Sequence, residues 1–198
     1  ATEDVTKAYA YKTALALNAD YSMVSVSGYG IISGFTNDGN KIPEQTIPQY
    51  YDKLGFSYNK FADSITVSET EWDFERYKPD IIVINLGTND MNYATTDERK
   101  AEFEDGYLDF LKKVRSLNPD SYIFQTYGVM GTSLEENIEN VRRKYMSETG
   151  DERITFIPLT MQDEDADGIV ADWHPSPRTH SLVSQKVTAA IKKTLGYK

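Results

Sequence analysis

Apolar residues along this chain form short continuous runs, separated by longer segments in which they recur every three or four positions. The runs are rich in β-branched and aromatic side chains, which is typical of strands. They lie at Tyr21 to Val26, Asp80 to Leu86, Ser121 to Tyr127 and Ile154 to Leu159. Strands that alternate with helices form parallel sheets covered by helices on both faces. The pattern therefore predicts an α/β fold.

Four segments carry the helical repeat. They are Glu3 to Asn18, the interior of Thr96 to Leu117, the residues after Ser133, and the residues from Ser176 onward. Residue types that begin helices support these predictions. Thr2 is the expected cap of the first helix, Ser133 and Glu136 form a capping-box pattern, and Pro177 suits the first turn of the last helix.

The first predicted helix lacks a preceding strand. A parallel sheet needs a strand before that helix as well as the strand Tyr21 to Val26 after it. No strand-like run precedes Glu3. We therefore expect one further strand to come from a segment upstream of Ala1 or from another polypeptide.

The segment from Gly34 to Phe74 is rich in Gly, Pro, Asn, Ser and Tyr and shows weak periodicity. A short helix is predicted near Ile47 to Leu54, and the rest is interpreted as a long functional loop region. The sequence shows no internal repeat, linker or low-complexity tract. Residues 1–198 are therefore expected to form a single domain.

Composition restricts the partners of the protein. The formal net charge of −10 disfavours nucleic acid and anionic membrane surfaces, and no apolar run approaches the roughly 20 residues that span a bilayer. A neutral substrate is expected. The count of zero cysteines excludes disulfides and thiolate metal sites, and imidazole chemistry can come only from His174 and His180.

Two predicted strands end in residues that could bind a ligand. Asp80 to Leu86 is followed by Gly87-Thr88-Asn89-Asp90, at the kind of strand end where α/β proteins bind ligands. The Asn89 amide could donate to a developing oxyanion, although Asn after a strand is also an ordinary turn residue. Ser27-Gly28-Tyr29-Gly30 follows Tyr21 to Val26, and it is either a source of a backbone N–H for the same oxyanion or a simple glycine turn.

A third group of polar residues, Asp172-Trp173-His174, precedes the last predicted helix. In an extended segment, residues two apart project to the same side, so the Asp172 carboxylate could orient the His174 imidazole. An imidazole held in this way can act as a general base. The alternative is a loop histidine beside a tryptophan that packs on the core.

Together the three motifs resemble the SGNH, or GDSL-type, hydrolase superfamily. That superfamily has a glycine block after the second strand, a G-x-N-D block after the third, and a histidine block before the last helix. S-G-Y-G, G-T-N-D and D-W-H-P-S, as they stand here, are most similar to the catalytic domain of carbohydrate esterase family 2. The resemblance spans nearly the whole chain and implies a three-layer flavodoxin-like α/β/α sheet of parallel strands, here without its first strand.

The resemblance also implies a role for each matched residue. The Gly28 N–H and the Asn89 side chain would line the oxyanion hole, and His174 would be the general base. The superfamily mostly places its Asp three residues before the His, where this chain has Ala171. Either Asp172 or the Trp173 carbonyl would then orient His174. No metal or organic cofactor is implied.

The nucleophile block of the superfamily, Gly-Asp-Ser at the end of the first strand, has no counterpart in its expected place before the first helix. Ala62-Asp63-Ser64 is similar, but it comes in the wrong chain order and follows a polar segment. Ser27 flanks the oxyanion glycine, where it is badly placed to attack from the opposite side. We expect the nucleophilic Ser in the segment that supplies the missing strand.

The resemblance predicts a secreted serine esterase that removes acetyl groups from plant polysaccharide through an acyl-enzyme. Tyr29 and Trp173 are candidate platforms for sugar rings, with Trp72 a third, although each could instead be ordinary packing. A catalytically inactive carbohydrate-binding module on the same scaffold is the alternative. A flavodoxin-like phosphate or nucleotide binder fits less well, because no glycine-rich loop opens a helix and the Asp172-Trp173-His174 motif would have no role.

Overall fold

The computed structural model describes residues 4–56, 60–61 and 64–197. Its strands are β1 (Lys60–Phe61), β2 (Ile65–Thr66), β3 (Ile81–Asn85), β4 (Tyr122–Tyr127) and β5 (Ile154–Pro158). Its α-helices are α1 (Tyr9–Ala16), α2 (Asp97–Leu117), α3 (Glu135–Thr149), α4 (Glu164–Asp167) and α5 (Pro177–Leu195). Short 3-10 helices occur at Val5–Lys7, Ile47–Gln49 and Ala171–Trp173.

The strands β3, β4 and β5 form a parallel sheet with β4 in the centre. Asn85 at the end of β3 pairs with Thr126, and Tyr127 at the end of β4 pairs with Pro158. All three strands therefore end at the same edge, and the loops that follow them begin there. These are the strands predicted from Asp80, Ser121 and Ile154, and all three are confirmed.

Helices cover both faces of this sheet. Leu111 of α2 and Ile138 of α3 share a core with Ile123 on one face, whereas Val187 of α5 packs with Phe124 on the other. Ile123 and Phe124 are adjacent in β4, so the alternation of side chains along a strand places one in each core. Burial on both faces explains why β4 is buried almost throughout. The predicted three-layer α/β/α architecture is confirmed.

The strand predicted at Tyr21 to Val26 is not formed. No ladder joins this segment to another part of the described chain, and the side chains of Tyr21 and Val24 are 47% and 55% exposed. The residue types favour a strand, but a strand also needs a paired neighbour. The prediction was wrong because it rested on residue type alone.

The sheet has an open edge at β3. Within the described residues β3 pairs with β4 only. Within the part of the chain that the structure describes, buried side-chain atoms of Asn85 in β3, and of Gln125 and Thr126 in β4, make no hydrogen bond. Buried polar groups are usually paired, so these two strands carry unsatisfied hydrogen-bonding capacity.

The first helix is shorter than predicted. The segment expected to be one helix from Glu3 to Asn18 is a 3-10 turn at Val5–Lys7 followed by α1. Asp4 caps the turn by accepting the Thr6 N–H at 3.1 Å. The predicted cap, Thr2, lies outside the described residues.

The later helices begin close to the predicted positions. Thr96 caps α2 and Ser176 caps α5 through their side-chain oxygens. The predicted capping box at Ser133 is not formed, since Leu134 is the N-cap residue of α3 and no side chain caps the helix. Leu134 is fully buried, so packing fixes this start. Among the described residues, no helix has the length and apolar character to cross a membrane.

The region from Gly34 to Phe74 is mostly irregular, as predicted. Among its described residues the helical part is Ile47–Gln49, and β1 and β2 form a small antiparallel hairpin. Ser64 lies exposed in the turn of that hairpin, while Ala62 and Asp63 lie outside the described residues. Ser64 therefore does not follow a strand of the parallel sheet.

Candidate active site

The loop after β3 begins with a sharp turn at Gly87, whose φ is +118°. A Cβ at this position would lie 3.2 Å from Tyr127 and 3.3 Å from Phe103, so glycine allows the chain to turn against the core. The N–H groups of Asp90 and Met91 both donate to the Gly87 carbonyl at 3.1 Å. This turn presents Asn89 and Asp90 at the carboxyl edge of the sheet.

Asn89 and Asp90 both bind the segment from Gly28 to Ser33. The Asn89 amide Nδ2 donates to the Tyr29 carbonyl at 2.8 Å. The Asp90 carboxylate accepts the backbone N–H groups of Ile31, Ile32 and Ser33. The structure therefore brings together two of the motifs found in the sequence.

Gly28 has a left-handed conformation with φ of +78°, and a Cβ there would meet nothing within 4 Å. Its carbonyl accepts the Phe35 N–H at 2.8 Å. Its own N–H donates to no acceptor among the described residues. The Gly28 N–H and the Asn89 amide, which binds the following residue Tyr29, are two donors from which an oxyanion hole can be built.

His174 follows the 3-10 turn Ala171–Trp173. Its Nδ1 lies 3.1 Å from the Ala171 carbonyl, which also accepts the His174 backbone N–H at 3.1 Å. If Nδ1 carries the proton, it donates to this carbonyl and Nε2 is left as the base. Among the described residues, no hydrogen bond joins the Asp172 carboxylate to His174. That Asp172 or the Trp173 carbonyl orients His174 stays a prediction. In the structure, the group that contacts His174 Nδ1 is the Ala171 carbonyl.

The backbone before His174 is strained. Asp172 and Trp173 both have positive φ, at +55° and +57°. Asp tolerates this conformation, but it is uncommon for a bulky residue such as Trp. Strain of this kind persists only where surrounding contacts hold it, and it is concentrated at functional sites.

Gln162 supplies one of those contacts. Its Nε2 donates to the Trp173 carbonyl at 2.7 Å, and its backbone N–H donates to the Val129 carbonyl at 2.9 Å. Val129 follows β4 and Gln162 lies beyond β5, so both belong to the carboxyl edge of the sheet. The His174 segment is therefore attached to the same edge as Asn89.

The predicted substrate-binding residues differ in exposure. The side chain of Trp173 is 66% exposed. Tyr29 is half-buried and contacts Tyr50 and Phe56, with ring centroids 6.0 and 6.2 Å apart. Trp72 is also half-buried. Among the described residues, no group of three or more metal-binding side chains could hold an ion.

Two residues of the site were not predicted as functional. Asp90 was quoted as part of the Gly87 to Asp90 motif, but only its contact with the Gly28 loop gives it a role. Gln162 lies in an acidic loop without a recognisable motif, and nothing in the sequence indicates its contact with Trp173. Both act through backbone groups, which leave no signal in the sequence.

Comparison with known proteins agrees with these motifs. The model of the GDSL-like Lipase/Acylhydrolase family matches residues 6–182. The cellulase/esterase CelE of Acetivibrio thermocellus is 33% identical, over 96% of this chain and 22% of that protein. An acetylxylan esterase / glucomannan deacetylase of Cellvibrio japonicus is 24% identical, over 96% of this chain and 49% of that protein. The chain spans half or less of the length of these relatives.

Solved structures show the same fold. The acetyl xylan esterase Est2A of Butyrivibrio proteoclasticus superposes with a TM-score of 0.87 and 27% identity, over 98% of this chain and 56% of that one. A family two carbohydrate esterase of Clostridium thermocellum, solved with cellohexaose, gives 0.80 and 31%, over 99% of this chain and 56% of that one. The sequence, the fold and the motifs agree that this chain belongs to the GDSL-like lipase/acylhydrolase family.

Proposed function

We propose that this chain is part of a serine esterase that removes O-acetyl groups from plant cell-wall polysaccharide, such as acetylated xylan or glucomannan. The observation that carries the proposal is the hydrogen bond between Asn89 and Tyr29, because it attaches the Asn89 amide to the residue that follows Gly28, whose N–H has no acceptor among the described residues. Family membership and the similarity to acetylxylan esterases support the same reaction. We also propose that the protein acts outside the cell, where such polysaccharides occur.

In the proposed mechanism a serine Oγ attacks the acetyl carbonyl carbon while His174 Nε2 takes its proton. The negative charge moves to the former carbonyl oxygen, where the Gly28 N–H and the Asn89 amide stabilise it. The intermediate then collapses, the bond between the acetyl carbon and the sugar oxygen breaks, and that oxygen leaves as a hydroxyl after it takes the proton from His174. Water attacks the acetyl-serine carbonyl while His174 takes one of its protons. The bond to the serine Oγ then breaks, Oγ recovers that proton from His174, and acetic acid leaves and ionises to acetate.

We further propose that the nucleophilic serine lies at the end of a strand outside residues 1–198, which pairs with the open edge of β3. Two observations support this proposal. Among the described residues β3 has a partner strand on one side only, so the backbone groups on its other edge are free to pair with a further strand. The internal candidates are badly placed, since Ser64 lies in a hairpin turn and Ser27 is next to the oxyanion glycine.

Sugar rings of the substrate are proposed to contact Trp173 and Tyr29. Trp173 is highly exposed for an aromatic side chain, at 66%. It directly precedes His174, and Tyr29 directly follows Gly28, so each aromatic residue is adjacent in sequence to a proposed catalytic group. Aromatic faces bind the apolar faces of sugar rings and leave the hydroxyls in water.

The test is acetate release from acetylated xylan and from an aryl acetate, measured with the active enzyme and with a His174→Ala variant. Loss of the general base should lower kcat by roughly 10²- to 10⁴-fold. His180→Asn is the matched control, because His180 is the other histidine of the chain and should leave kcat within about threefold. Full activity in His174→Ala would contradict the assignment of the base.

A serine-directed phosphonate then locates the nucleophile. Mass spectrometry of the labelled protein should place the phosphonate on a serine outside residues 1–198, and a label on Ser27 or Ser64 would contradict this part of the proposal. Binding of acetylated oligosaccharide without hydrolysis or labelling would favour the alternative, a carbohydrate-binding module on an esterase scaffold.

A further inference from the structure

The Asp90 carboxylate is completely buried, and backbone N–H groups surround it. Its Oδ1 accepts from Ile31 at 3.0 Å, Ile32 at 2.8 Å and Ser33 at 3.1 Å, and its Oδ2 accepts from Ile31 at 2.9 Å. Successive N–H groups that point into one concavity form an anion-binding nest. Here the anion is a side chain of the protein itself.

The loop is closed tightly around this carboxylate. The Phe35 N–H donates to the Gly28 carbonyl, so both ends of the 28–35 segment meet. A Cβ on Gly30 would lie 2.1 Å from the Ser33 carbonyl oxygen and 2.4 Å from Asp90 Oδ2. Only glycine permits this approach, and the backbone therefore rests directly on the carboxylate.

Asn89 and Asp90 hold consecutive parts of this loop. Asn89 binds the Tyr29 carbonyl, and Asp90 binds the three N–H groups that follow it within residues 31–33. Gly28 is the residue immediately before Tyr29. The distance between the Gly28 N–H and the Asn89 amide is thus determined by two adjacent side chains on one turn.

We propose that Asp90 is a positioning residue of the oxyanion hole, whose carboxylate holds the Gly28 to Ser33 loop so that the Gly28 N–H and the Asn89 amide point at the same oxygen. This inference rests on the proposed function, because the oxyanion exists only in that reaction. Asp90 acts through the loop and does not touch the substrate.

An amide is a poorer acceptor here than this carboxylate. In Asp90→Asn, an amide oxygen at the position of Oδ1 could still accept the three N–H groups, but the NH₂ group at the position of Oδ2 would face the Ile31 N–H, donor against donor. The loop would keep fewer bonds, and each would be weaker because the acceptor is neutral. Gly30→Ala tests the same contact from the other side, since its methyl group would clash with the Ser33 carbonyl oxygen and with Asp90 Oδ2 and so displace the loop without changing any charge.

The experiment measures kcat and KM for an aryl acetate in the active esterase, together with hydrogen exchange of the Ile31, Ile32 and Ser33 amides. In Asp90→Asn and Gly30→Ala we expect kcat to fall about tenfold or more, with KM changed by less than about twofold, because a displaced donor affects mainly the transition state. Exchange of the three amides should become at least about tenfold faster. The control is Asp38→Asn, whose carboxylate accepts the Asn40 N–H at 3.0 Å in an exposed turn, and it should leave both measurements unchanged.

A kcat within twofold of wild type in Asp90→Asn, or a rise in KM at constant kcat, would overturn the inference. If Asp90→Asn does not fold, Gly30→Ala decides by the same criteria. Failure of the proposed function is recognised separately, as retained activity in His174→Ala. Failure of this inference alone would appear as an unchanged Asp90→Asn enzyme beside an inactive His174→Ala enzyme.

Discussion

The two halves of the candidate site are built differently. The oxyanion half, from Gly28 to Ser33, is bound by Asn89 and Asp90, about sixty positions away in the sequence, and its Ile31 side chain is 3% exposed in the core. The base half, from Val170 to His174, is mostly exposed and is bound mainly by groups close in sequence. Its longer-range contact is the bond from Gln162 to Trp173.

Because of this difference, substitutions in the two halves should affect different properties, namely the stability of the fold in one half and the orientation of His174 in the other. Changes in the oxyanion half affect buried residues that also belong to the core, so they should alter both folding and kcat. Changes in the base half affect exposed residues, so they should alter the direction of His174 with little effect on folding. Predictions for each half can test this distinction, and apart from loss of the base itself in His174→Ala the largest effect is expected at Asn89.

Asn89→Ala removes the proposed oxyanion donor and its bond to Tyr29. We expect kcat for an aryl acetate to fall by roughly 10²- to 10³-fold, as for other oxyanion donors, with little change in KM. Asn92→Ala is the matched control, because Asn92 Nδ2 makes the same kind of bond, to the Thr36 carbonyl at 2.8 Å, without a role in the hole. Equal losses in the two variants would mean that loop attachment alone explains the effect.

Ile31→Ala and Ile169→Ala compare the stability of the two halves with one substitution type. Ile31 is buried beside the oxyanion loop, and its truncation should cost about 2–4 kcal/mol of unfolding free energy through lost burial and a cavity. Ile169 is 39% exposed beside the His174 segment, and its truncation should cost about 0.5 kcal/mol or less. Urea denaturation of both variants gives the comparison, and similar losses would show that the halves are equally anchored.

The sequence predicted the parts of the fold that depend on continuous local patterns. β3, β4 and β5 and the helices α2, α3 and α5 follow from apolar runs, helical repeats and turn residues. The Tyr21 to Val26 segment has the same strand-like residues but forms no strand. A strand needs a paired neighbour, and the local sequence pattern does not show whether one is present. The Ser133 capping box failed for a similar reason, since burial of Leu134 starts the helix instead.

The candidate site shows the same limit. Gly28, Asn89 and His174 were recognisable because their residue types and order match a family pattern. The hydrogen bonds of Asp90 and Gln162 connect side chains to backbone groups far along the chain, and backbone groups are identical at every position. The Ala171 carbonyl beside His174 Nδ1 depends on the left-handed turn at Asp172, which residue type alone does not specify.

Gln162→Ala tests the attachment of the base half. Without its bond to the Trp173 carbonyl, the strained turn should relax and His174 should spend less time in the productive orientation. We expect kcat to fall about three- to tenfold, while Tm changes by less than about 2 °C. Gln49→Ala is the control, because Gln49 also donates to a carbonyl, that of Pro43. A large fall in Tm with unchanged kcat would contradict the division between the halves.

His180 should make a small pH-dependent contribution to stability at the helix end beyond the base half. Its Nδ1 accepts the Tyr9 N–H at 3.3 Å, and its ring stacks on Tyr9 with centroids 6.2 Å apart. Burial lowers the pKa of His180, with a further contribution from the positive charges of Lys12 and His174. The unfolded chain therefore binds more protons below pH about 6.5, so His180 destabilises the fold as pH falls from about 7 to 5.

His180→Asn keeps an acceptor near the Tyr9 N–H but removes the titrating group. The fall in Tm between pH 7 and pH 5 should therefore be smaller in this variant than in wild type, by about 1–3 °C. Ser181→Ala is the control, because it removes a bond to Lys12 at the same helix end without changing any titrating group. An equal fall in Tm in wild type and His180→Asn would mean that protonation of His180 does not lower the free energy of unfolding. The contact between α1 and α5 would then not depend on a neutral His180.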